Sequence, residues 1–320
     1  MLPGEIHDKT VIVAPLDWGM GHVTRCIPLI RQFISQNCKV VFAANHLGIE
    51  LIKKDFSNIE VELIPGYEVT LDSERSTYLQ MFSQFRKLAN KAKREASLAQ
   101  NLADKHKADI IVSDNRYGFH STKTYNIILT HQLNPMVPYF RKTVRSKIRK
   151  YISAFDECWI PDNEKKSICG DLLNAQVDVP KSYIGWLGRF ALSNNGVIHR
   201  KYLAIVSGPE PERSRFQKLL SEWLEKSGEV YTIVSPLAND SNNVVVNPST
   251  QELSKLIEES EIVISRAGYT TIMEMLILNK KAILIPTNGQ YEQLYLASHI
   301  NDAALNFLTE KELETQLCIN

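Results

Sequence analysis

Short β-branched and aliphatic runs alternate with amphipathic stretches along almost the whole chain, and nothing else in the sequence narrows the fold so far. In the first half the runs fall at residues 11–15, 39–44, 60–64, 109–113, 126–130 and 157–161. Helical patterns separate them, beginning at 22–36, and the longest extends over 76–106. A second series starts afresh, with runs at 202–207, 229–235, 243–246, 261–265 and 282–286 and helical stretches at 212–224, 251–259, 269–278 and 292–300. Strand and helix in alternation make βαβ units, and therefore parallel sheets. Between the two series, residues 191–200 include Ser193-Asn194-Asn195-Gly196 and have the composition of a turn. A chain of 320 residues is long for one domain. The expectation is an α/β protein with two domains, 1–192 and 198–320.

A formal net charge of +1 argues against nucleic acid as the main partner, because binders of the phosphate backbone are strongly basic. The five cysteines form no Cys-x-x-Cys pair, which suits reduced thiols better than a disulfide scaffold or a zinc site. Residues 1–10 carry charges and no long apolar run, so no signal peptide is expected. No apolar run is long enough to span a bilayer, and a cytoplasmic protein is expected. In open parallel sheets, ligands bind outside the carboxyl ends of the strands. The loops at those ends are where chemistry should lie.

The first run empties into Leu16-Asp17-Trp18-Gly19-Met20-Gly21-His22, and a helix continues through Val23-Thr24-Arg25-Cys26. Two glycines let the backbone approach a ligand closely, and the helix N-terminus offers N–H groups to an anion. A dinucleotide fingerprint would need a third glycine where Thr24 stands. It would also need a carboxylate after the next strand, which ends Phe42-Ala43-Ala44-Asn45. The nicotinamide reading fails on both counts, and no cofactor is expected. His22 sits in the first helical turn, where the positive end of the dipole favours a neutral imidazole able to take a proton from a hydroxyl. The alternative is a His22 that caps or packs the helix start. Arg25 is read as facing solvent, with anion binding the other choice.

In the second half, Ser207-Gly208 occupies a strand-to-helix turn suited to phosphate. A stronger block follows the run at 261–265: Ser265-Arg266-Ala267-Gly268-Tyr269-Thr270-Thr271, then Glu274 one turn on. Hydroxyls and N–H groups of Ser265, Gly268, Thr270 and Thr271 can meet a diphosphate, and Glu274 can accept from two ribose hydroxyls. The plainer account is a capped helix with Glu274 in solvent. Glu292-Gln293 pairs a carboxylate with an amide at a loop–helix junction, as vicinal sugar hydroxyls require.

Taken together these elements resemble the GT-B glycosyltransferases, whose fold is two Rossmann-like domains with parallel sheets facing across a cleft. They are most similar to the peptidoglycan N-acetylglucosaminyltransferase family, with its C-terminal domain of the glycosyltransferase 28 type. The resemblance covers almost the whole chain, from Gly19-x-Gly21-His22 to the block ending at Gln293. It implies an acceptor side in the first domain and a UDP-sugar in the second. The diphosphate would lie against Gly21, Ser207-Gly208 and Gly268-Tyr269-Thr270, the ribose on Glu274 and the donor sugar on Glu292-Gln293. Glu292 departs from the family's Gln-Gln pair, and the first loop has fewer glycines. The Gly-x-Gly-His-x-x-Arg-Cys spelling also resembles the UDP-sugar hydrolase of pseudaminic acid biosynthesis, where the matching histidine activates water. An inactive nucleotide-sugar-binding paralogue is the non-enzymatic alternative. The family further implies a closing helix that crosses back onto the first domain, of which the tail after Leu308 would supply part.

The chain has no Asp-x-Asp triplet and no cluster at metal-ligand spacing, so no metal site is expected. Helix N-termini and Arg266 would then stabilise the departing diphosphate, with His22 as base and inversion at the anomeric carbon. Arg266 has an equal alternative as a structural ion pair. Two more strand-end loops are assigned to the acceptor side, Asp114-Asn115-Arg116 and His131. The alternatives for Asp114 are orienting His22 or capping the following helix. The acceptor is expected to be a sugar or a lipid-linked sugar. Finally, residues 139–155 carry Arg141, Arg145, Lys147, Arg149 and Lys150 with no acid among them, opposite an apolar stripe of Val144, Ile148, Tyr151 and Phe155. The favoured account is a helix packed on the first sheet with a solvated basic face. The other is peripheral contact with anionic lipid at the inner face of the membrane.

Overall fold

The computed structural model describes all residues except 18, 67–91, 93, 138–139, 191–196, 238–241, 319 and 320. The chain separates into two compact units, Met1–Leu187 and Gly188–Asn320. Most of the helical stretch expected at 76–106, the turn at 191–196 and Tyr139 lie outside the described residues.

The first unit contains β1 (Thr10–Pro15), α1 (Met20–Ser35), β2 (Lys39–Ala44), α2 (His46–Asp55), β3 (Glu60–Leu63) and α3, helical at 94–106. It continues with β4 (Ile110–Asp114), β5 (Tyr125–Leu129), α4 (Arg141–Ile152), β6 (Glu157–Ile160) and β7 (Lys181–Tyr183). The strands form one parallel sheet in the order β3-β2-β1-β4-β5-β6-β7. Side chains from both faces of β1 and β4 are buried, which is why these strands read as unbroken apolar runs. On one side, Ile12, Val41 and Ile111 pack with Ala99, Leu102 and Ala103 of α3. α1 buries Val23, Cys26, Ile27, Ile30 and Phe33, the three-and-four spacing of a helix lying on a sheet.

The second unit holds β8 (Arg200–Ile205), α5 (Glu212–Ser227), β9 (Tyr231–Ser235), β10 (Val244–Val246), α6 (Thr250–Glu258) and β11 (Ser260–Arg266). Then come α7 (Tyr269–Ile277), β12 (Ala282–Ile285), α8 (Tyr291–His299), β13 (Leu305–Phe307) and α9 (Glu310–Cys318). Its parallel sheet runs β10-β9-β8-β11-β12-β13, repeating the ordering of the first.

Four elements lack a sequence signal. α2 begins at Asn45, whose side chain accepts from the Gly48 amide at 2.9 Å and so caps a helix that has little apolar periodicity. β7 and β13 are three-residue edge strands, too short to show a pattern. The tail after Leu308 holds α9, which packs on α5 with Leu313 in the core of the second unit. In both sheets the strand order reverses at one place, between β1 and β4 and between β8 and β11. Carboxyl ends at such a reversal leave a crevice for a ligand.

Candidate active site

In the first unit the reversal point is built by the exits of β1 and β4. The Leu16 amide donates to the Asp114 carbonyl at 2.9 Å, tying the two strand ends together. Gly19 then takes φ +137°, a conformation few other residues tolerate, and starts α1 with no side-chain cap. His22 follows within the first turn. Its side chain keeps 18% exposure, and its Nδ1 lies 3.1 Å from Oδ1 of the fully buried Asp114. Asp114, assigned to the acceptor side with the orienting of His22 or a helix cap as alternatives, thus stands within hydrogen-bond reach of His22.

Arg25 departs from expectation. It does not face solvent: three residues after His22 it shares that helix face, is 2% exposed, and closes on Asp114 from below. Its Nε donates to Asp114 Oδ2 at 2.6 Å, and its Nη2 contacts Oδ1. The same guanidinium reaches His22 Nδ1 at 2.9 Å and His131 Nδ1 at 3.0 Å. Burial alone would raise the Asp114 carboxyl, but Arg25 and then His22 beside it hold it down to about 2.

The loops assigned to the acceptor side are more buried than a binding surface requires. Arg116 is 1% exposed, donates to Glu95 of α3 at 2.8 Å and to the Pro15 and Pro65 carbonyls, and so ties α3, the end of β1 and the segment after β3 to its own loop. That engagement removes it from the acceptor side. His131 is buried beneath Arg25. Asn115 holds φ +56°, and its buried Oδ1 has no hydrogen-bond partner among the described residues, an acceptor still open at the end of β4.

In the second unit the reversal point lies at the ends of β8 and β11. Ser207 is half-buried, and Gly208 takes φ +111° with open space where a side chain would stand. Ser265 is not available as a free hydroxyl donor, because it donates to the Ile205 carbonyl at 3.1 Å and stitches β11 to β8. Gly268 caps α7 with no side chain, so the dipole end of a buried helix opens at this turn. Tyr269 and Thr270 are buried beside it, and Thr271 is half-buried.

Arg266 meets the structural alternative. Its Nη1 is 2.6 Å from Glu310 Oε1 of α9, and its guanidinium lies 3.7 Å over the Phe216 ring. Its Nη2 still has no hydrogen-bond partner among the described residues. Glu274 is buried, contrary to the solvent account, and its Oε1 stands 3.0 Å from Nε of Arg189. Burial pushes the Glu274 carboxyl up, and Arg189 works against that rise. Gln293 is occupied locally: it accepts from the Thr287 amide at 2.8 Å and donates to Gln290 at 2.7 Å, shaping the loop beside the half-buried Glu292. Arg189, Glu310 and Glu95 were not foreseen, since each is joined to its partner only by the fold.

Residues 212–317 match the family model described as the glycosyltransferase family 28 C-terminal domain. A UDP-N-acetylglucosamine–N-acetylmuramyl-(pentapeptide) pyrophosphoryl-undecaprenol N-acetylglucosamine transferase of Listeria monocytogenes is 25% identical, with 92% of this chain and 84% of the relative covered. Among solved structures, Acinetobacter baumannii MurG gives a TM-score of 0.52 at 14% identity, covering 97% of this chain and 89% of that one. Arabidopsis thaliana UGT89C1 with quercetin gives 0.64 at 11% identity, covering 98% and 89%. Residues 212–317 are therefore a domain of the glycosyltransferase family 28 type, the two parallel sheets are those of the GT-B fold, and domain, relatives and fold together support a glycosyltransferase.

Proposed function

We propose that this chain transfers a sugar from a UDP-sugar to an acceptor hydroxyl, with inversion and without a metal ion. The observation that carries the reading is His22 paired with the buried Asp114 at the reversal point of the first sheet. In this reading, Nδ1–H of His22 donates to Asp114 and Nε2 takes the proton of the acceptor hydroxyl. The oxygen then bonds the anomeric carbon as its bond to the diphosphate breaks, a single displacement that inverts the centre. The α7 N-terminus, Gly208 and the Arg266 Nη2 would receive the charge of the leaving UDP. Glu274 would exchange Arg189 for ribose hydroxyls, and Glu292 and Gln293 would face the sugar. UDP is favoured over other nucleotides by the donor named for the Listeria relative.

UDP binding tests the donor half. Calorimetry in EDTA should still show binding, and Glu274→Ala should weaken it by ~1–3 kcal/mol through lost buried hydrogen bonds. Undiminished binding in that variant removes Glu274 from the site. Loss of binding in EDTA, restored by Mg²⁺, overturns metal independence.

The same relative is named for a lipid-linked acceptor, and the acceptor proposed here is of that kind, met at the inner face of the membrane from the cytoplasm. No helix among the described residues is long and apolar enough to cross a membrane. Part of the basic face of α4 is engaged within the first unit: Arg141 donates to the Val137 carbonyl, Arg145 to Asn134 and Arg149 to Asp178. Lys142, Lys147 and Lys150 are exposed on α4, and Phe140 at its start is 67% exposed. Near an anionic surface each lysine is worth ~1 kcal/mol, so changing all three to Glu should abolish co-sedimentation with anionic vesicles and leave UDP binding intact. If wild-type protein ignores such vesicles at low salt, a soluble acceptor replaces the lipid-linked one.

A further inference from the structure

Arg266 ends β11 inside a cluster of four charges drawn from three elements. Its Nη1 lies 2.6 Å from Glu310 Oε1 at the start of α9. Glu310 Oε2 accepts in turn from Arg215 Nη2 at 2.6 Å and from Asn288 Nδ2 at 3.2 Å. Arg215 also reaches Glu212 on its own helix, α5, at 3.0 Å. Two arginines thus face two glutamates, and their formal charges cancel. The adjoining Glu210–Arg213 pair adds no net charge either. Arg266 and Glu310 are both buried, so salt screens their attraction little. Burial lowers the Arg266 guanidinium, Glu310 and then Glu212 oppose that fall, and the arginine stays charged.

The contact with Glu310 balances charge more than it aims the guanidinium. Nη1 and Oε1 approach closely, yet neither atom makes an aligned hydrogen bond among the described residues. The flat group is held instead by the Phe216 ring of α5, 3.7 Å from its Cζ. Nη2 is left buried with no partner among the described residues, a state that favours an incoming acceptor. The cluster therefore keeps one open donor and no net charge. We propose that Glu310 is an internal counter-anion for Arg266: it offsets the guanidinium charge at the diphosphate and so leaves UDP able to depart after transfer. The inference rests on the reading that Arg266 Nη2 meets the leaving UDP. Without Glu310, the guanidinium would meet the diphosphate with its whole charge. That added attraction would act on donor and product alike, holding UDP in the site without speeding the transfer.

Equilibrium binding of UDP and of uridine to the full chain separates charge from shape, because uridine lacks the diphosphate. Glu310→Gln should bind UDP roughly fivefold more tightly than wild type, the effect of one unbalanced charge in a partly screened site. Arg215→Met leaves the cluster one charge more negative and should bind UDP roughly twofold more weakly, the smaller effect of an exposed group. Uridine should bind equally to all three proteins. Arg215 is 55% exposed, and its replacement leaves the buried pair intact, so it gives a result even where Glu310→Gln fails to fold. Weaker or unchanged UDP binding in Glu310→Gln overturns the proposal, as does unchanged binding in Arg215→Met. A matching change in uridine marks a structural effect and also counts against it. Arg266→Met judges the underlying reading: it should weaken UDP and spare uridine. If it binds UDP as wild type does, Arg266 is not at the diphosphate, and reading and proposal fail together. If it weakens UDP while Glu310→Gln does not tighten it, the proposal alone fails.

Discussion

His22→Ala should lower turnover of a UDP-sugar by roughly two to four orders of magnitude, the usual contribution of a positioned general base. Donor affinity should scarcely change, because the nucleotide contacts proposed above belong to the second unit. The expectation draws on the partial exposure of His22 beside a fully buried carboxylate partner. A side chain that only capped α1 would need to reach a backbone N–H. The geometry instead aims Nδ1 at Asp114, and the side chain keeps 18% exposure. Turnover near the wild-type rate in the variant would return His22 to a packing role. The same assay separates transferase from hydrolase. UDP release as fast without acceptor as with it would make water the acceptor, as the likeness to the pseudaminic acid hydrolase implies.

The parallel sheets were legible because their central strands are buried on both faces and so stand out as apolar runs, and the turns at their ends carry glycine. The places of His22 and Gly268 at strand exits were legible for the same reason, each following such a run at the start of a helix. Arg25 could have been read correctly, since its i+3 spacing from His22 puts both on one helix face. It was missed because a lone arginine in a helix defaults to solvent, and the carboxylate that buries it lies 89 residues away in sequence. Arg266 shows the converse. Its position at the end of β11 pointed to the diphosphate, while its pairing with Glu310 could not be read, because Glu310 sits on α9, which has no apolar pattern strong enough to be seen in advance. Contacts that join distant elements leave no mark on local spacing, and the carboxylate partners of Arg25, Arg116, Arg189 and Arg266 are of that kind.

The second large effect expected is on stability. Asp114→Asn removes the charge that compensates Arg25 while keeping the shape of the side chain, and breaking a buried pair from one side costs about 3–5 kcal/mol. Chemical denaturation at neutral pH should show that loss as a lower midpoint with an unchanged slope. The pH dependence follows from the sign of the carboxyl shift. Asp114 is held at about 2 in the folded protein, below the ordinary carboxylate value. Its contribution is therefore complete above the unfolded value, near ~4, and is lost as pH falls through the folded one. The stability gap between wild type and Asp114→Asn should be constant from neutrality down to about pH 4 and should narrow as the pH approaches 2. A gap that widened on acidification, or an Asp114→Asn protein as stable as wild type at pH 7, would mean that Arg25 finds its compensation elsewhere and that Asp114 does not hold the cluster together.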